Sequence, residues 1–123
     1  MNVTFMAKPF DDAPGSGMHL FQRMLNLEDG TDLLRDKDAK DINKMAGHMI
    51  AGQIAHAAAM SAVLNTTVNS YKRLSDGHRA PAWATWARVS EASLLRIPGN
   101  PGGTAMEVEL RSPDAMANPY LAV

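Results

Sequence analysis

Met106-Glu107-Val108-Glu109-Leu110-Arg111 alternates apolar and charged side chains without a break. Successive side chains of a strand point to opposite faces. The segment therefore reads as a strand with Met106, Val108 and Leu110 on one face and Glu107, Glu109 and Arg111 on the other. Ser112-Pro113-Asp114 ends it. Upstream, the loop Pro98-Gly99-Asn100-Pro101-Gly102-Gly103 separates it from two further strand-like runs, Trp83 to Val89 and Ser93 to Ile97. Val3 to Met6 and Met18 to Leu25 read as strands near the N-terminus, with residues 11–17 a loop between them. Between these strand-rich ends the period changes. Ile42, Met45, Met49, Gln53, His56 and Met60 fall near helical spacing, which predicts one long helix from about Ala39 to Leu64, capped by Asp38 and favoured by Asp41 near its positive end. Residues 65–82 read as irregular, with a turn at Ser75-Asp76-Gly77, and the chain closes on an apolar tail, Asn118 to Val123.

The 123 residues allow at most one domain. Twelve basic against thirteen acidic side chains give a formal net charge of -1, which argues against electrostatic binding of nucleic acid or an acidic membrane. With 46% apolar but only 6% aromatic residues, the core is expected to be built from Met, Leu, Ile, Val and Ala. The absence of cysteine excludes disulfides, thiolate metal sites and cysteine nucleophiles, and it suits a reducing compartment. Met45 to Ser70 carries no Asp, Glu, Lys or Arg, but His48, Gln53, His56, Asn65 and Asn69 interrupt it, so a buried helix packed through small residues is expected rather than a membrane span.

Several residues have chemistry to offer. Glu109 and Arg111 share a strand face, where a carboxylate can hold a hard cation and a guanidinium can clamp a carboxylate or phosphate. The bland alternative is the solvated face of an edge strand. In Gly15-Ser16-Gly17-Met18-His19, glycines let the backbone approach a ligand, and His19 can ligate a metal or carry a proton; most such loops are only turns. His48 and His56 lie eight residues apart, about 12 Å along a helix, too far to share one ion. Asn69-Ser70-Tyr71-Lys72-Arg73 by itself reads as a helix end satisfied by cations.

Taken in order, these segments resemble the catalytic region of glutamine synthetase. Phe5-Met6-Ala7-Lys8-Pro9 with Gly15-Ser16-Gly17-Met18-His19 is similar to one signature of that family. Asn69-Ser70-Tyr71-Lys72-Arg73-Leu74 with Ala80-Pro81 is similar to a second. Leu95-Arg96-Ile97-Pro98, Glu109-Leu110-Arg111-Ser112-Pro113-Asp114 and Ala117-Asn118-Pro119-Tyr120-Leu121 are similar to a third. The resemblance covers nearly the whole chain, and the wording of Val3 to Lys8 leans towards relatives that join glutamate to amines or polyamines.

The resemblance implies an α+β fold: a partial antiparallel sheet from the family's catalytic barrel, with one long helix packed on it. Residues 1–123 would be part of that catalytic domain, lacking the family's N-terminal domain and C-terminal helices. It implies an ATP-dependent ligase of nitrogen metabolism, cytoplasmic and homo-oligomeric, that activates glutamate as a γ-glutamyl phosphate and couples it to ammonia or an amine. Mg2+ or Mn2+ would be the metal and ATP the co-substrate, with neither nucleic acid nor membrane as partner. Residue by residue, His19 and Glu109 match metal ligands. Gly15 matches a backbone contact to glutamate, Arg73 and Arg111 match catalytic arginines that hold the substrate carboxylates, and Arg96 matches a nucleotide-binding arginine.

The chain departs from the family pattern at several pocket positions. Phe21 replaces a second histidine and Arg23 a serine beside the nucleotide. Pro14 replaces an asparagine, and Thr104 a lysine. Arg79 replaces a flap glutamate that helps bind ammonium, while Glu91 and Glu107 replace arginines. Losing cations and gaining carboxylates weakens a phosphate pocket by Coulomb sign alone. Arg79 and Glu91 form a reciprocal exchange of charge, so they are expected to pair with each other. Two metal donors cannot fill an octahedral shell without further groups. The chain by itself is therefore expected to be inactive. The alternative reading is a non-catalytic remnant that docks on ring-forming full-length subunits.

Overall fold

The alternating segment forms the centre of a sheet rather than its edge. The computed structural model describes residues 1, 3–35, 42–75, 79–98 and 105–123. In chain order the elements are β1 (Leu20–Gln22), α1 (Lys44–Ala55), α2 (Ala57–Leu64), α3 (Val68–Ser75), β2 (Trp83–Ala87), β3 (Ser93–Arg96), β4 (Val108–Leu110) and α4 (Pro119–Ala122). The four strands make one sheet in the order β1-β4-β3-β2. Because β4 has a neighbour on each side and is covered on both faces, all three of its residues are buried, Glu109 included. The solvated edge-strand reading of Glu109 and Arg111 is thereby corrected.

The fold is α+β, as the resemblance implies, but the sheet is mixed rather than antiparallel. β4 pairs antiparallel with β1 and with β3, whereas β2 runs parallel to β3. A tight hairpin between β2 and β3 would have made them antiparallel. Residues 88–92 instead carry the chain back to the starting end of β2 before β3 begins, so Trp83 faces Ser93. The four strands leave the sheet open, with no closed barrel among the described residues.

The single long helix is also corrected. Ile42 and Asn43 are not helical, and α1 begins at Lys44 because the Asn43 side chain accepts the Ala46 amide at 2.8 Å. The expected cap and dipole partners, Asp38 and Asp41, lie outside the described residues, as do the Asp76-Gly77 turn and residues 99–103 of the expected loop. The helix breaks at His56 (φ -101, ψ 8), four residues after Gly52, a poor helix former. A shorter helix, α2, then runs to Leu64. The Asn43 side chain also donates to the Leu33 carbonyl at 2.8 Å, tying the helix start to the preceding loop. Asn43→Ala is expected to cost about 1–2 kcal/mol for the lost cap and tie. A urea midpoint indistinguishable from that of the unmodified chain would contradict this.

Residues 65–82 are not wholly irregular, because α3 forms there. Thr67 and Ser70 build a reciprocal cap: the Ser70 amide donates to Thr67 Oγ1 and the Thr67 amide donates to Ser70 Oγ, each at 3.1 Å. With Ser in the place of the usual Glu or Gln, this capping box is hard to see in sequence. Asn118 caps α4 with its side chain alone, accepting the Tyr120 amide at 2.9 Å with Pro119 in the first turn. Val3 to Met6 forms no strand; Val3 and Phe5 are exposed, and the Met6 amide turns to the Thr4 hydroxyl.

The core is the expected aliphatic one. Val108, Leu110, Leu94 and Leu95 of the sheet pack with Ala46, Ile50, Leu64, Leu34 and Ile97, and Met24, Met49, Met60 and Met106 fill its margins. Both tryptophans lie on β2 and are exposed. Among the described residues, no helix is long and apolar enough to cross a membrane.

Candidate functional site

The sheet register builds the site. Glu109 lies directly across from Phe21 on β1 and from Arg96 on β3, and residues directly opposite in antiparallel pairs share a face. His19, two residues before Phe21, falls on that same face. It is held there by the bond from the Met18 amide to the Pro113 carbonyl (2.9 Å) and by the bridge between Gly17 and Asp114.

Glu109 is fully buried and surrounded by nitrogen. Arg96 grips it with two bonds, Nε to Oε2 at 2.5 Å and Nη2 to Oε1 at 3.2 Å. His19 Nδ1 lies 2.8 Å and Arg111 Nε 3.7 Å from Oε1. The His19 pKa is lowered, first by burial and then by the Arg111 charge, against the pull of Glu109. Near neutral pH the ring is therefore uncharged, the form that binds metals. The 2.8 Å contact is that of a hydrogen bond from Nδ1–H to Oε1, which fixes the tautomer so that Nε2, not Nδ1, is the nitrogen able to ligate a metal. Among the described residues no group of three or more His, Cys, Asp or Glu could hold a metal ion.

Arg111 follows β4 and is 3% exposed. Burial lowers its pKa and Glu109 opposes the shift. Its guanidinium ties two segments together, Nη1 donating to the Glu91 carbonyl and Nη2 to the Arg79 carbonyl at 3.2 Å. Its Nε is buried without a hydrogen-bond partner. The Arg79 and Glu91 side chains meet as expected, Nε to Oε2 at 3.7 Å, at the rim.

Arg73, in the last turn of α3, reaches under the loop after β4. It donates to the carbonyls of Arg111 and Ser112 at 3.0 Å each and to that of Pro113 at 3.3 Å. Burial lowers its pKa, with the Asp114 charge opposing. Gly15 and Gly17 press against it. A Cβ on Gly17 would sit 2.8 Å from the Arg73 Cζ, and one on Gly15 would collide with the Ala7 carbonyl oxygen. Sequence reasoning assigned no role to two residues that fix this frame. Asn69 exchanges bonds with the backbone of Lys8 (2.6 and 2.8 Å), and Asn65 Nδ2 donates to the Ser112 carbonyl at 2.7 Å. Asn69 falls inside a motif already singled out, the one signal available for it.

The result is an open cleft of about 280 Å3 whose lining includes Gly15, Gly17, His19, Arg73, Arg79, Glu91 and Arg111, with Glu109 beneath it. Every expected site residue except Arg96 and Glu109 reaches the cleft wall, and those two sit behind His19 in one ion-pair network.

Comparison with known proteins follows the same lines. The family model described as glutamine synthetase, catalytic domain, matches residues 1–123. The glutamine synthetase of Halobacterium salinarum is 40% identical over 124 residues, covering 100% of this chain and 27% of that protein. That of Thermococcus kodakarensis is 42% identical over 121 residues, covering 98% and 26%. A cryo-EM structure of Plasmodium falciparum glutamine synthetase superposes with a TM-score of 0.85 at 27% identity, covering 97% of this chain and 23% of that one. The chain thus spans about a quarter of the length of the curated relatives it matches.

Proposed function

This chain belongs to the glutamine synthetase family, and on that premise we propose that it carries part of the site of an ATP-dependent ligase joining the γ-carboxylate of glutamate to ammonia or an amine through a γ-glutamyl phosphate. One observation carries the reading: His19, Arg96 and Arg111, from three separate places in the chain, converge on the single buried carboxylate of Glu109 beneath an arginine-lined cleft.

In this reading His19 and Glu109 hold a Mg2+ or Mn2+ ion, with its other positions filled by groups outside the pair, and the ion neutralises charge on the transferring phosphoryl group. Arg96, the more exposed of the two arginines on Glu109, turns to the nucleotide phosphate. Arg111 offers its charge, and an Nε that makes no hydrogen bond, to a glutamate carboxylate. Gly15 presents backbone where no side chain fits. Arg73 contributes charge to the cleft wall, but its bonds to three carbonyls make it chiefly a positioning residue for the loop carrying Arg111.

Manganese tests this directly. Titrating Mn2+ into the chain is expected to broaden the NMR signals of His19 before those of exposed carboxylates. His19→Ala is expected to weaken binding by about tenfold or more, at least as much as losing a group that only orients a ligand. Broadening that ignores His19, or that is unchanged in the variant, would overturn the metal assignment. Phosphate release from ATP with glutamate, Mg2+ and a panel of amines is expected to be absent for the chain on its own, since among the described residues no third metal donor joins His19 and Glu109.

A further inference from the structure

We propose that the Arg79–Glu91 pair at the rim of the cleft recognises the acceptor amine and selects one that carries its own carboxylate, an α-amino acid, over ammonia or a simple alkylamine. The inference rests on the ligase reading above and names its second substrate class.

The two side chains are built to be exchanged for a ligand. They lie 3.7 Å apart, and 79% of the Arg79 side chain and 50% of the Glu91 side chain are exposed. A solvated ion pair of this kind contributes little by itself, so a ligand offering both complementary charges displaces it at small cost. Their backbones, by contrast, are fixed. Both carbonyls accept from the one buried guanidinium of Arg111. Arg79 is also held at φ 59, in the left-handed region that non-glycine residues seldom occupy. The structure therefore presents two opposite charges, side by side, on a frame anchored to the floor of the cleft.

Charge sign decides what fits. A bare cation at the rim meets Glu91 but also Arg79, with Arg111 behind it, so ammonium is poorly held. A bare anion is drawn to Arg79 but leaves Glu91 facing it without a partner. An amino acid sets its carboxylate on Arg79 and its ammonium on Glu91 and satisfies both, which is discrimination by repulsion of the alternatives. In the coupling step the acceptor ammonium first gives one proton to the Glu91 carboxylate. The neutral nitrogen then forms the C–N bond to the γ-carbonyl carbon of γ-glutamyl phosphate, the C–O bond to phosphate breaks, and phosphate leaves with the electron pair and the second proton. The product is a γ-glutamyl amino acid.

The test is a titration of the 15N-labelled chain with three probes: L-alanine, ethylamine and propionate. Alanine is expected to give saturable shifts at the Arg79 Nε–H and the Glu91 amide, with affinity at least about tenfold above either single-charge probe, the size expected for one charge-assisted bond. Arg79→Gln is expected to remove that advantage. Exchanging both charges, Arg79→Glu with Glu91→Arg, is expected to restore it. Alanine binding no tighter than ethylamine or propionate would overturn the proposal. So would alanine shifts that persist in Arg79→Gln, because they would mark a site elsewhere in the cleft. Mn2+ broadening of His19 in the same sample separates the two claims. If it is retained while alanine fails, only the rim assignment falls; if it is lost while alanine binds, the ligase reading falls.

Discussion

Glu109→Gln is expected to lower the thermal midpoint by about 10–20 °C, from a loss of about 3–5 kcal/mol. The carboxylate is fully buried and pairs with both Arg96 and Arg111. The substitution preserves shape and leaves two guanidiniums facing each other, one of them 3% exposed. The loss is large because an unpaired buried cation remains, not because the intact pair adds much over an apolar replacement. Glu28→Gln, in an exposed loop, is the control and is expected to change stability by less than about 0.5 kcal/mol. A midpoint for Glu109→Gln within about 2 °C of the unmodified chain would show that the cations do not depend on this carboxylate.

Gly15→Ala is expected to destabilise by about 2–3 kcal/mol, read as a lower urea midpoint at unchanged slope. The new Cβ meets the Ala7 carbonyl oxygen, a backbone atom that cannot swing away. Ala7 is itself buried, and it accepts the Ser16 amide at 2.8 Å. The neighbouring Lys8 backbone is clamped from both sides by Asn69. Relief of the clash therefore has to break the contact between the N-terminal segment and the glycine loop, which also shapes the cleft. Gly47→Ala makes the opposite case within the same chain. That glycine lies inside α1 with nothing within 4 Å of a Cβ, so alanine is expected to stabilise by about 0.5–1 kcal/mol. Equal signs for the two substitutions would show that space at the Cβ does not govern either.

The site was more legible than the fold around it. His19, Arg73, Arg96, Glu109 and Arg111 were named from ordered motifs, and Arg79 and Glu91 from departures from the family pattern; the structure gathers them in or beneath one cleft. Their detailed bonding was not legible. Nothing in Asn-Ser-Tyr-Lys-Arg says that the Arg73 donors go to the carbonyls of residues 111–113, because those partners lie nearly 40 positions further along the chain.

The sequence by itself determined what depends on neighbours along the chain. Alternation over 106–111 required a strand there, the helical spacing of Ile42, Met45, Met49, Gln53, His56 and Met60 required helix, and the scarcity of aromatics required an aliphatic core. It also determined family membership, through three motif blocks in a fixed order. Only the tertiary structure decided that β4 lies between two strands, so that Glu109 is buried among cations rather than solvated. It alone decided that β2 runs parallel to β3 and that the long helix breaks at His56. Alternation fixes which side chains share a face, but burial of that face depends on elements brought together from distant parts of the chain. For Glu109 those elements are β3, which brings Arg96, and the segment leading into β1, which brings His19, and they turn an ordinary strand carboxylate into the centre of a buried ion-pair network.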